Sequence, residues 1–183
     1  DLIAFYDCFA GYSHEGVPDI RIIVFRGYPV MAMLRLATAA SDGKANLHQG
    51  AVGVGLTLDT GRCLNAAQFG RRIKLHPDTG RPLSDIHIAG WRDILLLASQ
   101  CYEMTGLGYI GTDIVLDKNA GPQLLELNAR PGLAIQITNG RGLLPRLRHI
   151  ESMTLNRRFR TEQRVDYAMR QFAEAEPPAQ AVE

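Results

Sequence analysis

The sequence is short of several things, and each shortage narrows what the chain can be. Cysteine is scarce: Cys8, Cys63 and Cys101 are the three in 183 residues, widely spaced and odd in number. That pattern fits neither a zinc cluster nor a disulfide framework and points to a reducing, cytoplasmic setting. A dominant charge is also missing, since 20 lysines and arginines face 19 acids and the net charge of +1 offers no bulk field for nucleic acid or anionic lipid. The arginines at 146, 148, 157, 158 and 160 form the nearest thing to a basic patch, but Glu151 and Glu162 interrupt it and aromatics are sparse. No apolar run approaches the roughly 20 residues that span a bilayer. No nucleic-acid or membrane partner is expected, and there is no internal repeat.

What is there is an ordinary globular composition, 46% hydrophobic and 21% charged, enough for one core. Residues 20–25 and 29–37 are β-rich on either side of Gly27-Tyr28 and predict a hairpin, with Pro29 tolerable at a strand start. The polar, breaker-rich residues 41–50 predict a loop. Strands are expected at 51–58 and 63–69. Residues 70–89 predict a long irregular connection in which His76 and Asp78 are turn formers rather than ligands. Apolar residues at 94, 95, 98, 101 and 102 have the spacing of an amphipathic helix over 91–105, stopped by Gly106. Two more strands, 109–117 and 123–129, flank a tight turn, and helices are expected at 142–153 and 159–174. The expected division is a subdomain over 1–153, a helical extension over 154–174 and a disordered proline- and alanine-rich tail over 175–183.

The second hairpin carries the chemistry. Alternate residues of a strand share a face, so Gly111, Asp113 and Val115 point one way, and Leu124, Glu126, Asn128 and Arg130 share a face on the partner strand. If the pairing sets Asp113 against that face, two carboxylates and an amide oxygen converge. Hard oxygen ligands of this kind suit magnesium, which prefers one or two carboxylates plus phosphate oxygens. Arg130 extends the same face, where a guanidinium could hold a phosphoryl group. On the first hairpin Asp19 and Arg21 share one face, and Met33 and Arg35 another.

Asp113, then Glu126 and Asn128, then Arg130-Pro131-Gly132, resembles the magnesium motif of the ATP-grasp superfamily. Asp19-Ile20-Arg21, Arg35 and the run from Lys44 to Gly50 resemble the ribosomal-protein glutamate ligases and the alpha-L-glutamate ligase-like proteins, while residues 68–89, with His76-Pro77-Asp78-Thr79-Gly80, resemble the glutamate ligase-like and sugar-transferase-associated branches. The likeness covers about residues 18–147. It implies an α+β fold, the C-terminal subdomain of ATP-grasp, with a mostly antiparallel sheet and flanking helices. It implies an ATP-dependent carboxylate-amine ligase that forms an amide through an acyl phosphate. Asp113, Glu126 and Asn128 would hold magnesium, for which manganese could substitute. Arg21, Arg35 and Arg130 would stabilise the phosphoryl group in flight, and Lys44, Ala45 and Asn46 would contact ATP. A role for His48 at the substrate is a minor expectation. The partners would be ATP, a carboxylate and an amine drawn from amino acids, peptides or proteins, and a homo-oligomer is compatible with this reading. The lid with its lysines and a substrate-side domain are expected upstream of Asp1, and the adenine hinge at or just before residues 1–9, so residues 1–183 alone should bind ATP weakly or not at all. The competing reading is a degenerate ATP-grasp module that binds nucleotide or a protein partner without turnover.

Overall fold

In the computed structural model, which describes residues 9–153 and 159–174, the first hairpin is β1 (Asp19–Phe25) followed by β2 (Tyr28–Leu36). At its tip Arg26 and Gly27 have φ of 49° and 80°, two left-handed positions in succession, which suit the twist of the flanking strands. Ser99 Oγ and Arg164 Nε both donate to the Gly27 carbonyl, which ties the tip to the helices behind it.

The chain continues through β3 (Val52–Leu56), β4 (Cys63–Gln68), β5 (Arg71–Ile73), α1 (Trp91–Thr105), β6 (Tyr109–Asp117), β7 (Gly121–Asn128), α2 (Ile135–Asn139), α3 (Leu144–Ser152) and α4 (Thr161–Gln171). The strands form one seven-stranded sheet in the order β5-β4-β3-β2-β1-β6-β7, and each pairing is antiparallel. This is the expected α+β architecture. The late strand β6 inserts beside β1, so the two hairpins read separately in the sequence share one surface.

One face of the central strands is apolar. Ile20, Ile22, Leu34 and Ile114 are each at most 1% exposed. Helix α1 packs on β1, β6 and β7 and buries Trp91, Ile94, Leu95, Ala98 and Cys101, close to the predicted stripe. Burial of each such aliphatic side chain contributes about 1.5–3 kcal/mol. Trp91 Nε1 donates to the Leu58 carbonyl at 2.9 Å, so its indole is buried without an orphan donor.

The structure departs from the expectations in three places. Residues 70–89 are not wholly irregular, because β5 pairs with β4 and Leu75 bridges Pro82. A three-residue strand is too short to show alternation. Within that segment the His76 side chain acts as a turn former, its Nδ1 accepting the Asp78 N–H at 3.3 Å, whereas the Asp78 carboxylate accepts from the distant Ala39 N–H at 2.8 Å and ties the turn to the loop after β2. Helix α2 is additional, and at five residues it is too short to display a period. It lies on the sheet because Gly53 and Gly55 leave room. A Cβ on Gly55 would stand 2.3 Å from the Thr138 carbonyl oxygen, and one on Gly53 2.6 Å from Thr138 Cγ2. The third departure, a bulge in β7, belongs to the site.

Helix α4 packs on α1 and β2, and Arg164 reaches Gly27, Phe159 and Glu103. Arg146 is not part of a basic surface: it is 8% exposed and donates to the Val30 carbonyl and to Glu174. Arg157, Arg158 and the expected tail lie outside the described residues.

Candidate metal and phosphate site

The register of three strands assembles the site. Across β1 and β2, Asp19 pairs with Arg35 and Arg21 with Met33; across β1 and β6, Arg21 pairs with Asp113. Paired residues share a face and alternate residues return to it, so Asp19, Arg21, Met33, Arg35 and Asp113 all stand on the side opposite Ile20 and Ile22. Arg21 binds Asp113 with both Nε and Nη2, at 2.8 and 2.6 Å. Arg35 bridges two acids, donating from Nη2 to Asp113 Oδ2 at 2.7 Å and from Nε to Asp19 Oδ1 at 2.6 Å.

The result is a neutral chain of charges, Asp19, Arg35, Asp113 and Arg21, sunk into the sheet. Asp19 and Asp113 are 4% and 2% exposed. Burial pushes the Asp19 carboxyl up to about 6 against the pull of the neighbouring Arg35 guanidinium, with the Asp113 charge adding to the rise. Burial works against the Arg35 charge, but Asp19 and Asp113 together hold its guanidinium above the usual value. The ion pairs fix the plane of both guanidiniums before any ligand arrives.

On the far side of Asp113 the second hairpin has the pairing that the sequence left open. Asp113 lies opposite Glu126, and Gly111 opposite Asn128. The expected face holds for Glu126 and Asn128 but not for Leu124. The register shifts after Asp113, so Ile114 pairs with Leu124 and Leu125 is the extra residue, 58% exposed. This bulge turns Leu124 toward the core while Glu126 stays aligned with Asp113. Gly111 is required by the turn that follows: a Cβ there would stand 2.7 Å from Pro131 Cβ. The Asn128 side-chain oxygen accepts the Arg130 N–H at 2.9 Å, which starts that turn.

This donor set fits a magnesium ion bound together with phosphates. Among the described residues no group of three His, Cys, Asp or Glu side chains could hold a metal alone. Asp113, Glu126 and the Asn128 amide supply fewer hard oxygens than a protein cage would, which is the manner of magnesium. Asp113 Oδ1 accepts from Arg21 alone and retains a further lone pair, whereas Oδ2 accepts from both guanidiniums.

Above the arginines is a cleft of about 250 Å³ whose walls include Arg21, Met33, Arg35, Ala45, Asn46 and His48. The structure therefore brings together Arg21, Arg35, Ala45 and Asn46 from the expected set. Asn46 also caps the short turn Leu47–Gln49, its side-chain oxygen accepting the His48 N–H at 3.0 Å. Lys44 does not line the cleft; its side chain is 61% exposed, 4.0 Å from Asp42. Arg130 lines a different groove, with Tyr109, Pro131 and Leu143. Sequence reasoning assigned no role to Asp19, although its position two before Arg21 was the available signal. Met33, Leu47 and Ala134 were also missed as cleft walls.

The molecule is thus a seven-stranded antiparallel sheet with helices packed on it, one face of which carries an arginine pair beside an acidic hairpin. The chain belongs to the sugar-transfer associated ATP-grasp family, whose profile matches residues 1–152. Among solved structures it is similar to the ATP-grasp ligase PsnB. The complex of PsnB with a phosphomimetic variant of its minimal precursor, Mg and ADP matches with 14% identity and a TM-score of 0.42, over 74% of this chain and 33% of that one. The complex with the minimal precursor matches with 12% identity and a TM-score of 0.40, over 85% of this chain and 34% of that one. The chain thus spans about a third of the length of these solved ligases. No curated protein matches it. Among the described residues no helix is long and apolar enough to cross a membrane.

Proposed function

We propose that the protein is an ATP- and magnesium-dependent ligase that joins a carboxylate to an amine through an acyl phosphate. The observation that carries this reading is Asp113, gripped by Arg21 and Arg35 on one side and set opposite Glu126 on the other. A carboxylate substrate would enter the cleft over Arg21 and Arg35. One of its oxygens attacks the γ-phosphorus of ATP and ADP leaves; the amine nitrogen then attacks the acyl carbon, and phosphate leaves with that oxygen while the nitrogen sheds its proton. The arginines orient the anion and stabilise charge on the transferring group, with Asp19 holding Arg35 in plane. Asp113, Glu126 and Asn128 would hold magnesium, which neutralises phosphate charge when bound. Arg130, in its separate groove, and the exposed Lys44 would reach the nucleotide only from the rim.

One observation favours a second reading, a non-catalytic module: both Asp113 oxygens are already engaged by guanidiniums. The test is ADP release by the full-length protein with pooled carboxylates and amines. The ligase reading predicts release that needs magnesium and both pools. Nucleotide binding with no release in any pool would establish the second reading.

A further inference from the structure

The cleft does not end at the guanidiniums. Leu47, His48 and Ala134 wall both it and a continuation of about 290 Å³. The continuation runs over Ala67 of β4 and is bounded by Phe69, in the turn between β4 and β5, and by Ile137 of α2. These two apolar side chains are 63% and 51% exposed, so the limb offers uncovered apolar surface on both sides. Phe69 also has a φ of 50°, a left-handed conformation that residues with side chains rarely adopt. Its ring is held against the loop that carries Asn46: a Cβ on Gly50 would stand 2.7 Å from Phe69 Cζ, and Gln68 Nε2 donates to the Gly50 carbonyl at 2.8 Å.

The chemistry of this limb is one-sided. Among the described residues no lysine, arginine or carboxylate lines it. The Thr138 hydroxyl donates to the Ile135 carbonyl at 2.9 Å, and His48 stands at the junction with the cleft. Arg72, paired with Ala67, is turned to Gly140 at the end of α2 and is not among the walls, so a second carboxylate or an ammonium on the substrate would meet no charged partner in the limb, whereas a hydrocarbon would find apolar contact. Strand order gives the direction. The acids of β6 and β7 lie on one side of the arginines and the limb over β3 and β4 on the other. A phosphoryl donor at the acids and a carboxylate at the arginines leaves the rest of that substrate pointing into the limb.

We infer that the carboxylate substrate carries an apolar arm, aliphatic or aryl, that lies between Phe69 and Ile137. This rests on the ligase reading above and names the substrate class that a glutamate-like assignment would miss. The experiment uses full-length protein with carbon-13 labelled isoleucine methyls, the Ile137 signal being assigned from an Ile137→Val variant. Octanoate, 4-phenylbutyrate and glutamate are titrated in turn with magnesium and ATP, and ADP release is followed in parallel with an amine pool. The inference predicts that the two apolar acids shift the Ile137 methyl and drive release at least tenfold faster than glutamate at equal concentration. Phe69→Ala should raise the KM for 4-phenylbutyrate about tenfold, the effect of removing 1–2 kcal/mol of apolar contact. Preference for glutamate, or an Ile137 methyl that no acid moves, would overturn the inference even if ADP is released. A saturating methyl shift without ADP release would uphold the limb and remove the ligase reading instead.

Discussion

The two faces of β1, β2 and β6 are made from alternate residues of the same strands, yet they bury opposite things. Ile20, Ile22, Leu34 and Ile114 give α1 a dry apolar surface. One residue along each strand, Asp19 and Asp113 are nearly as well hidden, and Arg21 and Arg35, with side chains 13% exposed toward the cleft, are held to them by ion pairs. The first face gains free energy from leaving water; the second must desolvate four charges and recovers that through close pairing. Buried ion pairs are often replaceable by apolar residues with no loss of stability. The charged face is therefore better explained by what it presents, two fixed guanidiniums and an acidic edge, than by what it contributes to folding.

Breaking the charged face in one place should do the most damage. Asp113→Ala leaves Arg21 without its carboxylate and Arg35 with Asp19 alone, and should cost about 3–5 kcal/mol, read as a shift in the urea midpoint. Ile22→Ala, the matching cut on the apolar face, should cost about 2–5 kcal/mol through the cavity it leaves, with ADP release per folded molecule retained. Asp19 sharpens the contrast by its dependence on pH. Folded Asp19 keeps its proton up to about pH 6, whereas the unfolded carboxyl loses it near 3.8. Between those values the folded state binds more protons, so this contribution is fully present at lower pH and is lost as pH rises through 6. The slope should reach at most about 1.4 kcal/mol per pH unit, and Asp19→Asn should flatten it in urea midpoints measured from about pH 4 to about pH 7. The smallest effect is expected at Lys44, whose removal as Lys44→Ala should change stability by no more than about 0.5 kcal/mol.

Much of this contrast could be read before any coordinates, because alternation needs only the strands. The pairs Asp19 with Arg21, Met33 with Arg35, and Glu126 with Asn128 all follow from a period of two. What alternation cannot supply is register between strands distant in sequence, and the grip of Arg21 on Asp113 depends on β6 pairing with β1. The Leu125 bulge was illegible for a related reason: Leu124 and Leu125 are equally apolar, and no turn residue marks which one is extra. Helix α2 left only an indirect trace. Gly53 and Gly55 alternate along a strand in the way that signals close approach of another backbone, but they do not say whose. Arg130 shows the limit of extending a face past a strand end, since the turn at Pro131 carries it into another groove.

The most direct test of the account replaces Glu126, which is exposed on the edge strand and outside the buried ion chain. In the full-length protein Glu126→Gln should leave the thermal midpoint unchanged and lower magnesium-dependent ADP release by about a hundredfold or more. ADP release within twofold of the parent protein would contradict the assignment of this hairpin as the metal site.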